Sequence, residues 1–150
     1  MKKLFVLLFI IQTSIIFPQE VVIKSLKTFS SKDANSIPVL SSPRDLLTID
    51  FDVQTEFSPN INIIFKFCDK NWNPTDNLFL ANQGKNTAYT LNYFLLPTTV
   101  EEAKYHYTNT FPDKDGYVAF PYSGKWKFFV VDSQDPTKIF AEGKFFVVIA

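Results

Sequence analysis

The sequence predicts an all-β fold, a single antiparallel β-sandwich, and three observations carry that reading. Short apolar runs recur every 8 to 14 positions from Glu20 onward, separated by Pro, Gly, Asn, Asp and Ser, which is the rhythm of a sandwich. Phe, Val, Ile, Thr and Tyr fill these runs, with 17 Phe in 150 residues; branched and aromatic side chains fit a pleated, half-buried surface. No stretch of useful length carries the 3.6-residue apolar period of an amphipathic helix. Hydrophobic residues make up 46% of the chain, which is too apolar for a disordered polymer and enough for one core.

The first residues stand apart. Lys2 and Lys3 precede the apolar run Leu4 to Ile11, and Ile15-Ile16-Phe17 follows before Pro18. A short basic region followed by a short apolar one is the plan of a secretory signal peptide. The run is shorter than the roughly 20 residues of a membrane-spanning helix. Residues 1–19 are therefore expected to be a signal peptide and residues 20–150 the exported β-sandwich domain. No Cys closes the apolar run, so a lipid anchor lacks its attachment residue. The single cysteine, Cys68, cannot form an internal disulfide, so the core must hold the domain unaided. Its place at the end of an apolar strand reads as a buried thiol.

Val21 to Phe29 is expected as the first strand, followed by a polar loop over Ser30 to Pro43 with two prolines. Leu47, Ile49, Phe51 and Val53 alternate with Thr48, Asp50 and Asp52, a period of two with the acids on the outer face. Ser58-Pro59-Asn60 turns the chain into Ile61 to Cys68, where Ile63, Phe65 and Phe67 share a face. Asp69 to Gly84 reads as a loop broken by Asn73-Pro74 and Gln83-Gly84. Thr87 to Leu96 returns to strand pattern, and Glu101 to Lys104 has room for one helical turn. Tyr105 to Phe111 is a strand ended by Pro112, Asp113 to Gly116 is a tight turn, and Tyr117 to Phe120 continues as strand. After Ser123-Gly124, Lys125 to Asp132 should point Trp126, Phe128 and Val130 inward. Asp135-Pro136-Thr137 turns into the closing strand Ile139 to Ile149, where Gly143 marks a bulge or a close backbone approach.

The chemistry-bearing residue types are sparse. Fifteen basic and fifteen acidic side chains cancel, so no field draws nucleic acid. One Cys and one His cannot supply a zinc site, and four scattered glycines build no phosphate loop. Ser123, between Tyr122 and Gly124, is turn chemistry rather than a nucleophile elbow. His106 is the one neutral-pH base and sits in a strand between two tyrosines, as a structural or surface histidine would. Asp113-x-Asp115-Gly116 opens like a calcium loop but lacks its remainder, so it reads as a turn. No catalytic, cofactor or metal site is expected.

Two features point to recognition instead. Trp72 lies in the polar loop Asp69 to Pro74, either folded back over the sandwich or offered to a partner. The runs Phe128-Phe129-Val130-Val131 and Phe145-Phe146-Val147-Val148 are apolar without alternation, so both faces of those strands require cover. The outer face must meet a loop, another domain or a partner.

The segments Leu46-Leu47-Thr48-Ile49-Asp50-Phe51-Asp52 and Ile64 to Pro74 resemble the N-terminal domain of the type IX secretion system plug protein family. Tyr105-His106-Tyr107-Thr108-Asn109-Thr110-Phe111-Pro112 is similar to that family's H-Y-x-x-x-F-P stretch, and Ser123 to Val130 to its S-G-N-Y strand. Asp135-Pro136 with Phe145 to Val148 is similar to its closing hairpin. The resemblance implies an immunoglobulin-like sandwich in the periplasm of a Gram-negative bacterium, associated with an outer-membrane translocon whose channel it closes. It carries over Trp72, Asn73, Pro74, His106, Phe111 and Pro112 as candidate partner-binding positions. The family's C-terminal β domain has no counterpart in these 150 residues, and Asn77 to Tyr93 is less family-like. The alternative is a carbohydrate-binding sandwich of the cell envelope, with Trp72 and Tyr122 stacking on sugar rings.

Overall fold

Alternating apolar residues build two sheets that meet face to face. The computed structural model describes residues 20–30 and 36–149; the expected signal segment and part of the first loop lie outside the described residues. These form β1 (Val22–Ser30), β2 (Val39–Leu40), β3 (Leu47–Gln54), β4 (Ile61–Cys68), β5 (Thr87–Ala88), β6 (Tyr93–Leu95), β7 (Tyr105–Phe111), β8 (Gly124–Asp132) and β9 (Ile139–Val147), and among them is no helix. The first sheet has the order β1-β3-β7-β6 and the second β2-β9-β8-β4-β5. The first order corresponds to A-B-E-D of the immunoglobulin fold and β9-β8-β4-β5 to G-F-C-C′, with β2 added beside β9. One pair departs from an antiparallel sandwich: β2 runs parallel to β9, with Val39 opposite Phe146 and Leu40 opposite Val147.

The period of two fixes which residues meet. Leu47, Ile49, Phe51 and Val53 of β3 are buried, as are Tyr105, Tyr107 and Phe111 of β7. They face Ile63 and Phe65 of β4, Trp126, Phe128 and Val130 of β8, and Phe145 of β9. Each buried phenylalanine contributes about 1.5–3 kcal/mol by leaving water. Trp126, fully buried, packs edge-on at 5.3–5.4 Å against Phe120 and Phe67 and donates its indole N–H to the Tyr122 carbonyl at 3.0 Å. This aromatic cluster stabilises a core with no disulfide across it. Cys68 is free and buried, and that burial pushes its thiol pKa up.

The structure corrects four expectations. Thr87 to Leu96 is two strands, β5 in one sheet and β6 in the other. The crossover is pinned by Asn109, whose amide accepts from the Asn92 N–H at 2.8 Å and donates to the Asn92 carbonyl at 3.1 Å. Tyr117 to Phe120 makes only an isolated bridge, Val118 to Asn86, because the Asp113 carboxylate takes the N–H groups of Tyr117 and Val118. Glu101 to Lys104 is bent rather than helical, since the Lys104 N–H donates to the Val53 carbonyl at 3.0 Å. Gly143 is neither a bulge nor a close backbone approach: the register shift lies at Val130/Val131, and the room above Gly143 holds the Phe128 ring.

Candidate functional site

The six positions singled out in the sequence do not form one site. Trp72, Asn73 and Pro74 sit in a loop that Asp69 organises. Its carboxylate accepts the N–H groups of Asn71 and Asn73 at 2.8 and 2.9 Å, and its own N–H donates to the Asn73 carbonyl at 2.8 Å. The Asn73 N–H, first among these, holds the Asp69 carboxyl below its usual range. Trp72 adopts a positive φ of 65°, which turns the ring back over the outer face of the second sheet. There it meets Phe146 edge-on at 5.1 Å, with the ammonium groups of Lys125 and Lys144 at 5.2 and 5.0 Å from the ring.

That contact answers part of the requirement that β8 and β9 be covered outside. Phe129 and Val131 point away from the core cluster yet are buried, with the Lys66 ammonium 5.5 Å above the Phe129 ring. Long lysine stems shield apolar surface while keeping the charge in water. Trp72 therefore packs within the chain. Tyr122, its companion in the sugar-stacking alternative, donates its hydroxyl to the Phe79 carbonyl at 2.8 Å and packs edge-on against Phe67.

His106 lies on the opposite side of the sandwich, on the outer face of the first sheet. The strand register brings Asp50 and Asp52 beside it. Its Nδ1 is 2.6 Å from Asp52 Oδ1 and its Nε2 is 3.0 Å from Asp50 Oδ1. Both ring nitrogens thus lie within hydrogen-bond distance of a carboxylate oxygen. Thr108 donates to Asp50 as well, Phe94 lies against the imidazole at 4.9 Å, and Lys24 and Lys27 stand opposite the two aspartates in the register. The cluster is a charge network across three strands.

Phe111 is core, buried and packed edge-on against Phe65 at 4.8 Å. Pro112, joined to it by a cis peptide bond, is exposed and lines a cleft of about 240 Å³ with Leu40, Pro43, Phe120 and Val147.

Other surface was not singled out in the sequence. Tyr93, Phe94 and Leu95 make up β6 and all three are exposed. Below them a cavity of about 1160 Å³ is lined by Phe57, Leu95, Leu96 and Val100. The signal was present in the unbroken run Phe94-Leu95-Leu96, where alternation lapses.

Comparison with known proteins gives these surfaces a context. A family model described as the type 9 secretion system plug protein 1st domain matches residues 23–149. The chain belongs to this family. The plug-domain chain is also similar to a crystal structure of a hypothetical protein from Parabacteroides merdae ATCC 43184, at 21% identity and a TM-score of 0.63. That match covers 87% of this chain and 33% of the other, so the chain spans about a third of that protein's length and shares its fold. No curated protein matches the chain.

Proposed function

We propose that this plug-family domain is a non-enzymatic interaction module of the periplasm that docks on the outer-membrane translocon of a type IX secretion system. The observation that carries the reading is the family match over residues 23–149. The basic-then-apolar segment before it, of signal-peptide plan, supports export. Trp72, Asn73 and Pro74 act by shaping the loop over β8 and β9, and Phe111 acts through the core. Pro112 and the His106 face remain accessible to a partner.

The test is affinity purification of the tagged, exported protein from crosslinked envelopes, with its partners identified by mass spectrometry. Recovery of a large outer-membrane barrel is expected. Recovery of the protein alone, or its fractionation with the cytoplasm, overturns the proposal.

A further inference from the structure

The edges of the two sheets meet solvent differently. β1 is interrupted by a register shift between Lys24 and Lys27, where Ser25 has a φ of 54°. Bulges and lysines are the usual guards against edge pairing. β2 and β5 are two residues each. β6 is also short, at three residues, but it carries neither a bulge nor a lysine. It pairs with β7 in unbroken register, Tyr93 opposite Tyr107, Phe94 opposite His106 and Leu95 opposite Tyr105, and among the described residues no strand lies on its other side.

The phase of that pairing decides what the open side presents. The Thr108 N–H donates to the Asn92 carbonyl and the Leu96 N–H to the Lys104 carbonyl. Residues 92, 94 and 96 thus bond inward, and in an antiparallel ladder the alternate residues point their N–H and C=O outward. Those residues are Tyr93 and Leu95. Their side chains are uncharged and 49% and 63% exposed, beside Phe94 at 56%.

The surroundings give the occupant a chemistry. Leu95 also lines the cavity, where Phe57, Leu96 and Val100 lie together with Glu20, Glu56, Glu101 and, among the described residues, one cation, Lys104. The Lys104 ammonium lies over the Tyr105 ring at 5.8 Å. An apolar edge therefore runs into a hollow whose charged lining is mostly negative.

We propose that β6 accepts an extended strand from a partner protein, apolar where it flanks Tyr93 and Leu95 and carrying Lys or Arg where it reaches Glu20, Glu56 and Glu101. Main-chain bonds to the open edge supply affinity, and the cavity selects the side chains. The opposite charges steer the approach and fix its direction. This inference stands apart from the translocon reading, because it concerns what the edge binds whichever protein supplies the strand.

The test is selection of a phage-displayed library of random ten-residue peptides on the purified protein. Enriched peptides are expected to alternate apolar residues and to end in Lys or Arg. They should protect the Tyr93 and Leu95 amides from hydrogen exchange. Leu95→Lys, a change at an exposed position, is expected to weaken capture about tenfold by placing a charged guard on the edge. Glu56→Gln with Glu101→Gln should weaken it and flatten its salt dependence. Thermal unfolding of each variant checks that the fold is kept. Failure to enrich, enrichment of acidic peptides, or equal capture by Leu95→Lys overturns the proposal. So does a protein that is already dimeric with those amides protected, since the occupant is then a second copy.

Discussion

Replacing Gly143 by alanine tests whether the Phe128 ring fills the space opposite it. A Cβ at position 143 would lie 2.3 Å from both Cε1 and Cζ of Phe128, whereas carbon atoms rest at about 3.5–4.0 Å. The ring would have to retreat by more than about an ångström. Phe128 is fully buried, with Phe65 next to it at 6.4 Å between centroids, so no open space receives it. Overpacking of this kind costs about 1–3 kcal/mol. Alanine recovers about 0.5–1 kcal/mol of the entropy that glycine loses in a strand. The net loss is then about 1–2 kcal/mol, or roughly 2–8 °C in the thermal midpoint for a domain of this size. Circular dichroism melting of the wild type, Gly143→Ala, Phe128→Leu and the double variant reads it. The double variant should be more stable than the sum of the single losses predicts, because the smaller side chain removes the clash. A Gly143→Ala midpoint at or above that of the wild type refutes the reasoning.

Four other outcomes follow from the contacts. Trp72→Ala should cost about 1–2 kcal/mol in urea unfolding through the loss of its Phe146 and lysine contacts, and Trp72→Phe less. His106→Ala should destabilise by about 1 kcal/mol, a figure discounted for partial exposure, because Asp50 and Asp52 lose the ring that bridges their carboxylates; adding Asp52→Asn should recover part of that loss. The buried Cys68 thiol, with its pKa raised, should resist thiol reagents at mildly alkaline pH until the chain is unfolded by denaturant. Burial likewise raises the Tyr107 phenol pKa, so the folded state favours its neutral form. The stability this gives is full below the unfolded pKa of about 10 and is lost as pH rises above it; a phenolate titration should show a late step, coincident with unfolding, that Tyr107→Phe removes.

Four of the long strands were legible from the chain alone. β3, β4, β7 and β8 fall within a residue or two of the expected runs; in β3 and β7 one buried face imposes a period of two, while β4 and β8 show as largely apolar runs. The losses occurred where a long-range polar bond overrides local pattern. Nothing near Asn92 announces that Asn109, seventeen residues on, will take both of its backbone groups and carry the chain from one sheet to the other. Val118 looked like strand because it is apolar and buried, but the Asp113 carboxylate holds its N–H. β2, in the segment expected as loop, has only two residues, too few for a period to show. In the candidate site, the loop position of Trp72 was legible and its direction was not. A positive φ at a tryptophan and the two lysines that meet its ring come from separate parts of the chain.

The same contrast explains where spare apolar surface ended up. The runs Phe128 to Val131 and Phe145 to Val148 demanded cover on both faces; β8 lies inside its sheet, and β9 is bordered by β2 at Phe146 and Val147. β4 supplies Lys66, and the loop after β4 supplies Trp72, so the chain itself covers the outer sides of Phe129 and Phe146. An edge strand has a neighbour on one side only, and β6 has no lysine of its own to lay across its rings. Its three apolar residues are all exposed, and they combine apolar side chains with the outward backbone groups of an edge strand. A partner strand satisfies both at once. Recognition in this domain is therefore expected at the β6 edge rather than on the broad faces that the sequence marked as most apolar.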